Sequence, residues 1–197
     1  MKRVKLLSLT TLIASSIVLT ACQTLPSTLT FTPPAPTAAM TVNQQAIVFV
    51  SVRDKRPQPE VASYVADGKL IKLSASPTVQ QLFLQVGQQD LVSKGFRVSN
   101  AQQSNAAVTL DVNTFYANVE QGNLRYNIDS KVGVTIHVQG AKGQFSKNIN
   151  ANRTYSGAFS AKNPEIEKVL SEAFSEVVKT IYQDQEIANA IHAVHAQ

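Results

Sequence analysis

Fifteen consecutive residues, Arg125 to Gln139, alternate between two chemistries. Tyr126, Ile128, Ser130, Val132, Val134, Ile136 and Val138 fall on one side. Arg125, Asn127, Asp129, Lys131, Thr135, His137 and Gln139 fall on the other. A period of two over this length describes a β-strand with one face packed and one face wet, the habit of antiparallel sheets. A one-residue slip would carry every apolar side chain into water, so the register of such a strand is tightly specified. The flanking segments turn at Glu120–Asn123 and at Gly140–Gly143. "NAAVTLDVNTFYANVE" and "QFSKNINANRTYSGAFS" then become the outer strands of an antiparallel meander.

The rest of the domain follows from simpler signals. Gln45 to Val52 is apolar on both alternating faces and reads as a buried central strand. "RDKRPQPE" breaks it with two prolines, Asp67-Gly68 offers a turn, and Lys69 to Ala75 reads as a second strand. Ser76-Pro77 has the form of a cap followed by proline at the first helical position. Val79, Leu82, Phe83 and Val86 make the stripe of that helix, and Gly95 closes it. Asn163-Pro164 repeats the opening. Ile166, Val169, Leu170, Ala173, Val177 and Ile181 keep helical spacing, and a last amphipathic segment runs from about Gln185 to Ala196. The expected fold class is α+β. Its sheet is antiparallel, or mixed, with about five strands, and two main helices pack on one face in the order β-β-α-β-β-β-α.

The N-terminus carries a different kind of information. Met1 to Lys5 is basic, Leu6 to Leu19 is apolar, and small residues precede Cys22, the single cysteine. These are the parts of a secretory signal, and the apolar run is short of the roughly 20 residues that span a bilayer. Leu19-Thr20-Ala21-Cys22 resembles the lipobox of bacterial lipoproteins. That resemblance implies cleavage between Ala21 and Cys22 and a covalent lipid on the Cys22 thiol, the one prosthetic group expected. Several acyl chains, at about 0.8 kcal/mol per buried methylene, would moor the chain to a membrane. The residues after the cysteine are Gln23 and Thr24. In lipoproteins of this class, the absence of Asp there implies sorting to the periplasmic face of the outer membrane. The expected organisation is residues 1–21 as signal peptide, 22–44 as lipidated N-terminus and proline-rich tether, and 45–197 as one periplasmic domain.

Pro26, Pro33, Pro34 and Pro36 stiffen the segment Gln23 to Thr41. At about 3.1 Å per residue, some 20 residues would lift the domain roughly 60 Å from the bilayer. We expect that spacer. The other reading is a segment lying along the domain, with Ser27–Thr32 adding a short strand.

Charge excludes one class of partner. The whole chain has a net charge of +5. Without Lys2, Arg3 and Lys5 the 18 basic residues fall to 15 against 13 acidic ones, a balance of +2. That is no nucleic-acid footprint, and no basic run follows later in the chain.

The lipobox, "VRDKRP", "SKGFRV", "FYANVEQGNLRYNIDSKVGVTI" and "GAFSAKNPEIEKVLSEAF" together resemble the YajG family of bacterial lipoproteins. The resemblance runs from about Ile47 to Tyr182 and is most specific over Tyr116 to Ile128. It implies an outer-membrane lipoprotein with a small α+β domain. It supplies no catalytic residue and no ligand.

Chemistry has few candidates. Asp54 and Arg56 follow the first strand in a charged loop, where they make either a binding point or a local ion pair. His192 and His195 share a helical face, yet no carboxylate or thiol nearby completes a metal site, and none is expected. His137 lies on the wet face of its strand with no motif supplying a nucleophile. Phosphate loops, zinc motifs and nucleophile elbows are absent from the sequence. The polar sheet face, where a suitable register would line up Arg125, Asn127 and Asp129 with the amides of Asn148, Asn150 and Asn152, is either a candidate binding surface or a plain wet face whose polar residues discourage edge aggregation. The expected function is a non-enzymatic envelope module with a periplasmic protein partner. A glycan- or small-ligand-binding module is the alternative, and a hydrolase is the third reading.

Overall fold

The computed structural model describes residues 27–37 and 46–195. Ala21 and Cys22, the expected cleavage and lipidation residues, lie outside them. Eight strands and three α-helices occur in the described residues, and the class is α+β as expected. Both counts correct the expectation of about five strands and two helices.

The antiparallel meander holds. β6 (Ala106–Gln121), β7 (Arg125–Gly140) and β8 (Gly143–Ala158) are 16 residues each. Their registers place Thr135 between Asp111 and Asn148, and Asp129 between Asn118 and Thr154. A β-bulge between Val112 and Thr114 leaves Asn113 extra in β6 and restores the face alternation beyond it.

The strands outside the meander make the sheet mixed. β6 is twice as long as β2 (Ile47–Asp54), so two strands share its second edge. β2 pairs in parallel with Ala106–Val112, and β3 (Ala62–Ala66) pairs in parallel at Ala117–Asn118. β3 and β4 (Lys69–Ser76) form a hairpin closed by Asp67-Gly68, both with positive φ, at 50° and 73°. That two-residue turn matches the twist of the flanking strands, which is why the Asp-Gly pair required a strand on each side. β5 (Arg97–Val98) adds two residues beside β2.

β1 (Thr28–Thr30) pairs in parallel with Ser74–Ser76 of β4. Leu29 and Phe31 are buried, at 1% and 2% exposure, and Pro33 is buried as well. This part of the proline-rich segment therefore lies on the domain and does not act as spacer. Alternating apolar residues, Leu29 and Phe31, give it a face to bury despite the prolines around it.

Helix α1 (Val79–Ser93) begins two residues later than Ser76-Pro77 suggested. Its cap is Thr78, whose hydroxyl accepts from the Gln81 backbone N–H, while Gln81 accepts from the Thr78 N–H at 3.0 Å. Gly95 closes it as expected, with φ 86°. Its N–H and that of Phe96 reach back to the carbonyls of Val92 and Leu91. α2 (Asn163–Gln183) and α3 (Gln185–Val194) follow, and the Asp184 side chain caps α3.

All three helices cover one face of the sheet. α1 lies on β2 and β6, α2 on β6 to β8, and α3 on β7 and β8. Between them Phe31, Phe83, Phe115 and Phe174 meet edge to face, with ring centroids 5.1 to 6.3 Å apart. An ion pair sits inside the helix layer. Lys94 Nζ is 2.7 Å from Asp90 Oδ1, both side chains are buried, and Lys94 also donates to the Ile181 carbonyl near the end of α2. Burial pushes the Asp90 carboxyl up to about 6, although the Lys94 ammonium pulls the other way.

Candidate functional site on the open sheet face

The helices leave the second face of β2, β6, β7 and β8 uncovered, and its side chains are organised in rows set by register. Ser51, Thr109, His137 and Ser146 make one row, and Arg53, Asp111, Thr135 and Asn148 make the next. At the second row the bulged Asn113 donates through Nδ2 to Thr135 Oγ1 at 2.8 Å, and Thr135 donates to Asn148 Oδ1 at 2.6 Å.

Asp111 is the centre of the face. Its carboxylate is buried among side chains that are themselves half in water. Arg53 donates to it through Nε at 2.5 Å and NH2 at 2.8 Å. Lys55 Nζ lies 2.6 Å away, and His137 Nε2 is 3.1 Å from Oδ2. Burial alone would raise this carboxyl, but the hydrogen bonds from Arg53 and Lys55 outweigh it and pull it down to about 2. An ionised carboxylate only accepts, so His137 presents Nε2–H to it, and its Nδ1 is hydrogen-bonded to the Ser146 hydroxyl, 2.8 Å away.

Asp111, His137 and Ser146 are thus connected in the order that a nucleophilic relay uses. The surroundings differ from such a site. The carboxylate is shared with two cations, and the three residues lie on an open face. Two larger concavities, of 480 and 690 Å³, are lined by other residues. The relay needs a concave site with donors aimed at a developing oxyanion. The arrangement instead gathers two long cations and an imidazole around one carboxylate on the open sheet face.

The structure separates the residues singled out from the sequence. Asp54 and Arg56 meet each other: Arg56 Nε and NH2 bind the Asp54 oxygens at 2.9 and 2.8 Å. The Arg56 side chain is buried and also reaches the carbonyls of Pro59, Glu60 and Phe115. The Arg56 hydrogen bonds hold the Asp54 carboxyl below its ordinary range, against the opposing effect of burial. This is the local ion pair of the two readings, and it pins the loop that leaves β2.

Arg125, Asn127 and Asp129 lie at the far end of β7. Asp54 is level with Val112 and Val134, nine residues and about 30 Å along the strand from Arg125, so the five residues form no single site. Asn127 accepts from Ser156 at 2.7 Å, and Asp129 stands 3.8 Å from Lys131. His192 stacks near Phe96, with ring centroids 5.2 Å apart. Among the described residues no three His, Cys, Asp or Glu side chains are grouped to hold a metal ion. Nothing in the sequence marks Arg53, Lys55 and Asp111 as a cluster. Their only local signal is the placement of Asp111 among the wet-face positions of β6.

These features define a small α+β domain with one helix-covered and one open sheet face. No helix among the described residues is long and apolar enough to cross a membrane. The chain belongs to the bacterial lipoprotein family described as "Uncharacterized lipoprotein" (Lipoprotein_16), whose model matches residues 33–192. It is 28% identical over 141 residues to the uncharacterized lipoprotein YajG of Escherichia coli K12, covering 71% of this chain and 72% of that protein. Among solved structures, protein XCC0632 from Xanthomonas campestris aligns with a TM-score of 0.47 and 14% identity, covering 79% of this chain and 91% of that one. Lipoprotein GNA1162 from Neisseria meningitidis aligns with a TM-score of 0.37 and 10% identity, over 71% and 99%. Structural similarity at that level carries no inference about ligand or partner.

Proposed function

We propose that this chain is an outer-membrane lipoprotein, acylated at Cys22 and held on the periplasmic face, and that its domain is a non-enzymatic interaction module of the cell envelope. The observation that carries the reading is the fixed cationic cluster on the open face. Arg53 and Lys55 are pinned by one buried carboxylate, so the patch keeps positive charge and loses little side-chain entropy when a partner binds. An acidic surface on a periplasmic protein complements it. The lipobox and the family support the anchor, and Gln23 at the position after the cysteine supports the outer-membrane address. The Asp111 carboxylate beside His137, already taken by Arg53 and Lys55, supports a binding role over hydrolysis.

A photo-crosslinking residue at Thr135, in intact cells, tests this. The expected result is one dominant protein adduct, absent when the residue is placed at Glu172 on the helix side. A featureless ladder at both positions contradicts it. The second reading, glycan binding, rests on Asn148, Asn150 and Asn152, which the register places in one line along β8. Sedimentation of the protein with purified cell wall, lost on replacing those amides, would favour it.

A further inference from the structure

One end of the sheet gathers exposed apolar side chains. β3 runs parallel to β6, so the β3–β4 turn, the β6–β7 turn and the exit from β8 all lie at that end. Val65 and Leu70 are direct cross-strand partners there, 58% and 61% exposed. Leu124 and Phe159 are 73% and 74% exposed, and the Phe159 N–H donates to the Leu124 carbonyl at 2.9 Å. Phe159 has a φ of 69°, a conformation that costs energy for a bulky side chain. A cleft of 480 Å³ beside Val65, lined also by Tyr64, Ala66, Gln121, Ala161 and Pro164, opens at the same end. Lys69, Arg125 and Lys162 are exposed around it, among Asp67 and Glu120.

Chain length decides what meets this end. β1 runs parallel to β4, so the chain entering Thr28 comes from the side of Lys69. Cys22 is six residues before Thr28, a reach of about 20 Å at full extension. Thr28 is level with Ser74, next to Leu73, which pairs through Ala62 and Ala117 to Ser130. Thr28, one residue further along, is therefore level with Lys131, about six residues and 20 Å from the Arg125 end of β7 and about nine residues and 30 Å from the Gly140 end. Only the apolar end is within the cysteine's reach.

We propose that this end is the membrane-contacting surface of the domain. Leu124, Phe159, Val65 and Leu70 insert among the headgroups of the bilayer that holds the Cys22 lipid, and the sheet stands upright with its open face clear. This inference rests on the lipid anchor proposed above. Binding at the interface strengthens with the apolar area buried at the headgroup–acyl boundary.

The chain contains no tryptophan, so one introduced indole reports its own surroundings. Full-length lipidated protein carrying Phe159→Trp or Leu124→Trp would be placed on phosphatidylethanolamine–phosphatidylglycerol vesicles with and without brominated acyl chains. Ala141→Trp, in the β7–β8 turn at the other end, is the comparison. The expected result is blue-shifted emission and roughly twofold quenching by bromine for the near-end reporters, with none for Ala141→Trp. Unquenched near-end reporters on protein that still floats with the vesicles overturn this inference and leave the anchor standing. Protein that does not float and carries an unmodified Cys22 overturns both.

Discussion

Arg53 and Asp111 are 58 residues apart in sequence and stand side by side on parallel strands, joined by two hydrogen bonds of 2.5 and 2.8 Å. The guanidinium binds through Nε and NH2, a two-point contact that a lysine at this position would not reproduce. The pair and Lys55 fix charges on the open face, and His137 packs against the same carboxylate.

The acid limb of the stability curve should report Asp111. Its carboxyl ordinarily titrates near 3.8 and is pulled to about 2 in the fold. A depressed acid contributes stability that is complete above the unfolded value and lost as pH falls from about 4 to about 2. Asp111→Asn should therefore flatten denaturation midpoints over that window, and the wild-type carboxyl resonance should shift near pH 2. A wild-type midpoint near 4 would mean that Arg53 and Lys55 do not hold it.

Asp90 behaves in the opposite sense. Its carboxyl is raised to about 6, so its contribution is present below about 4 and lost as pH rises through 6. Lys94→Ala removes the buried partner and should cost about 3–5 kcal/mol at pH 7, where the carboxylate is left uncompensated. At pH 5 the cost should be clearly smaller, because Asp90 can then take a proton. Equal losses in urea titrations at the two pH values would rule out the buried pair.

Phe31 tests whether the N-terminal segment belongs to the fold. Its ring meets Phe115 at 5.1 Å and is fully enclosed. Phe31→Ala should destabilise the domain by about 3–5 kcal/mol, as removal of a core phenylalanine does. A residue in a free spacer would cost nothing, and chemical denaturation separates the two outcomes.

Much of this fold was legible because its signals are local. The alternation from Tyr126 to Val138 set the long strand and its packed face, and the stripe from Ile166 to Ile181 set α2. Gly95 announced the end of α1. What escaped depends on distant partners. β1 is three residues long and becomes a strand only beside Ser74–Ser76, while the prolines around it argue for a spacer. β3 was half announced by Asp67-Gly68, whose hairpin geometry demands two strands. Thr78, and not Ser76, caps α1 because the reciprocal bond with Gln81 fixes the start. The cationic cluster depends on a parallel register between β2 and β6, which no local pattern records. Asp54 and Arg56, conspicuous in sequence, serve each other.

The proposed attachment of this protein to the membrane rests on Cys22. Intact-mass analysis of the protein extracted from the bacterial envelope, with sequencing of its N-terminal peptide, examines that residue directly. The predicted product begins at residue 22 and carries a diacylglyceryl thioether and an amide-linked acyl chain. A free thiol at Cys22, or a mature N-terminus at any other residue, would contradict the account.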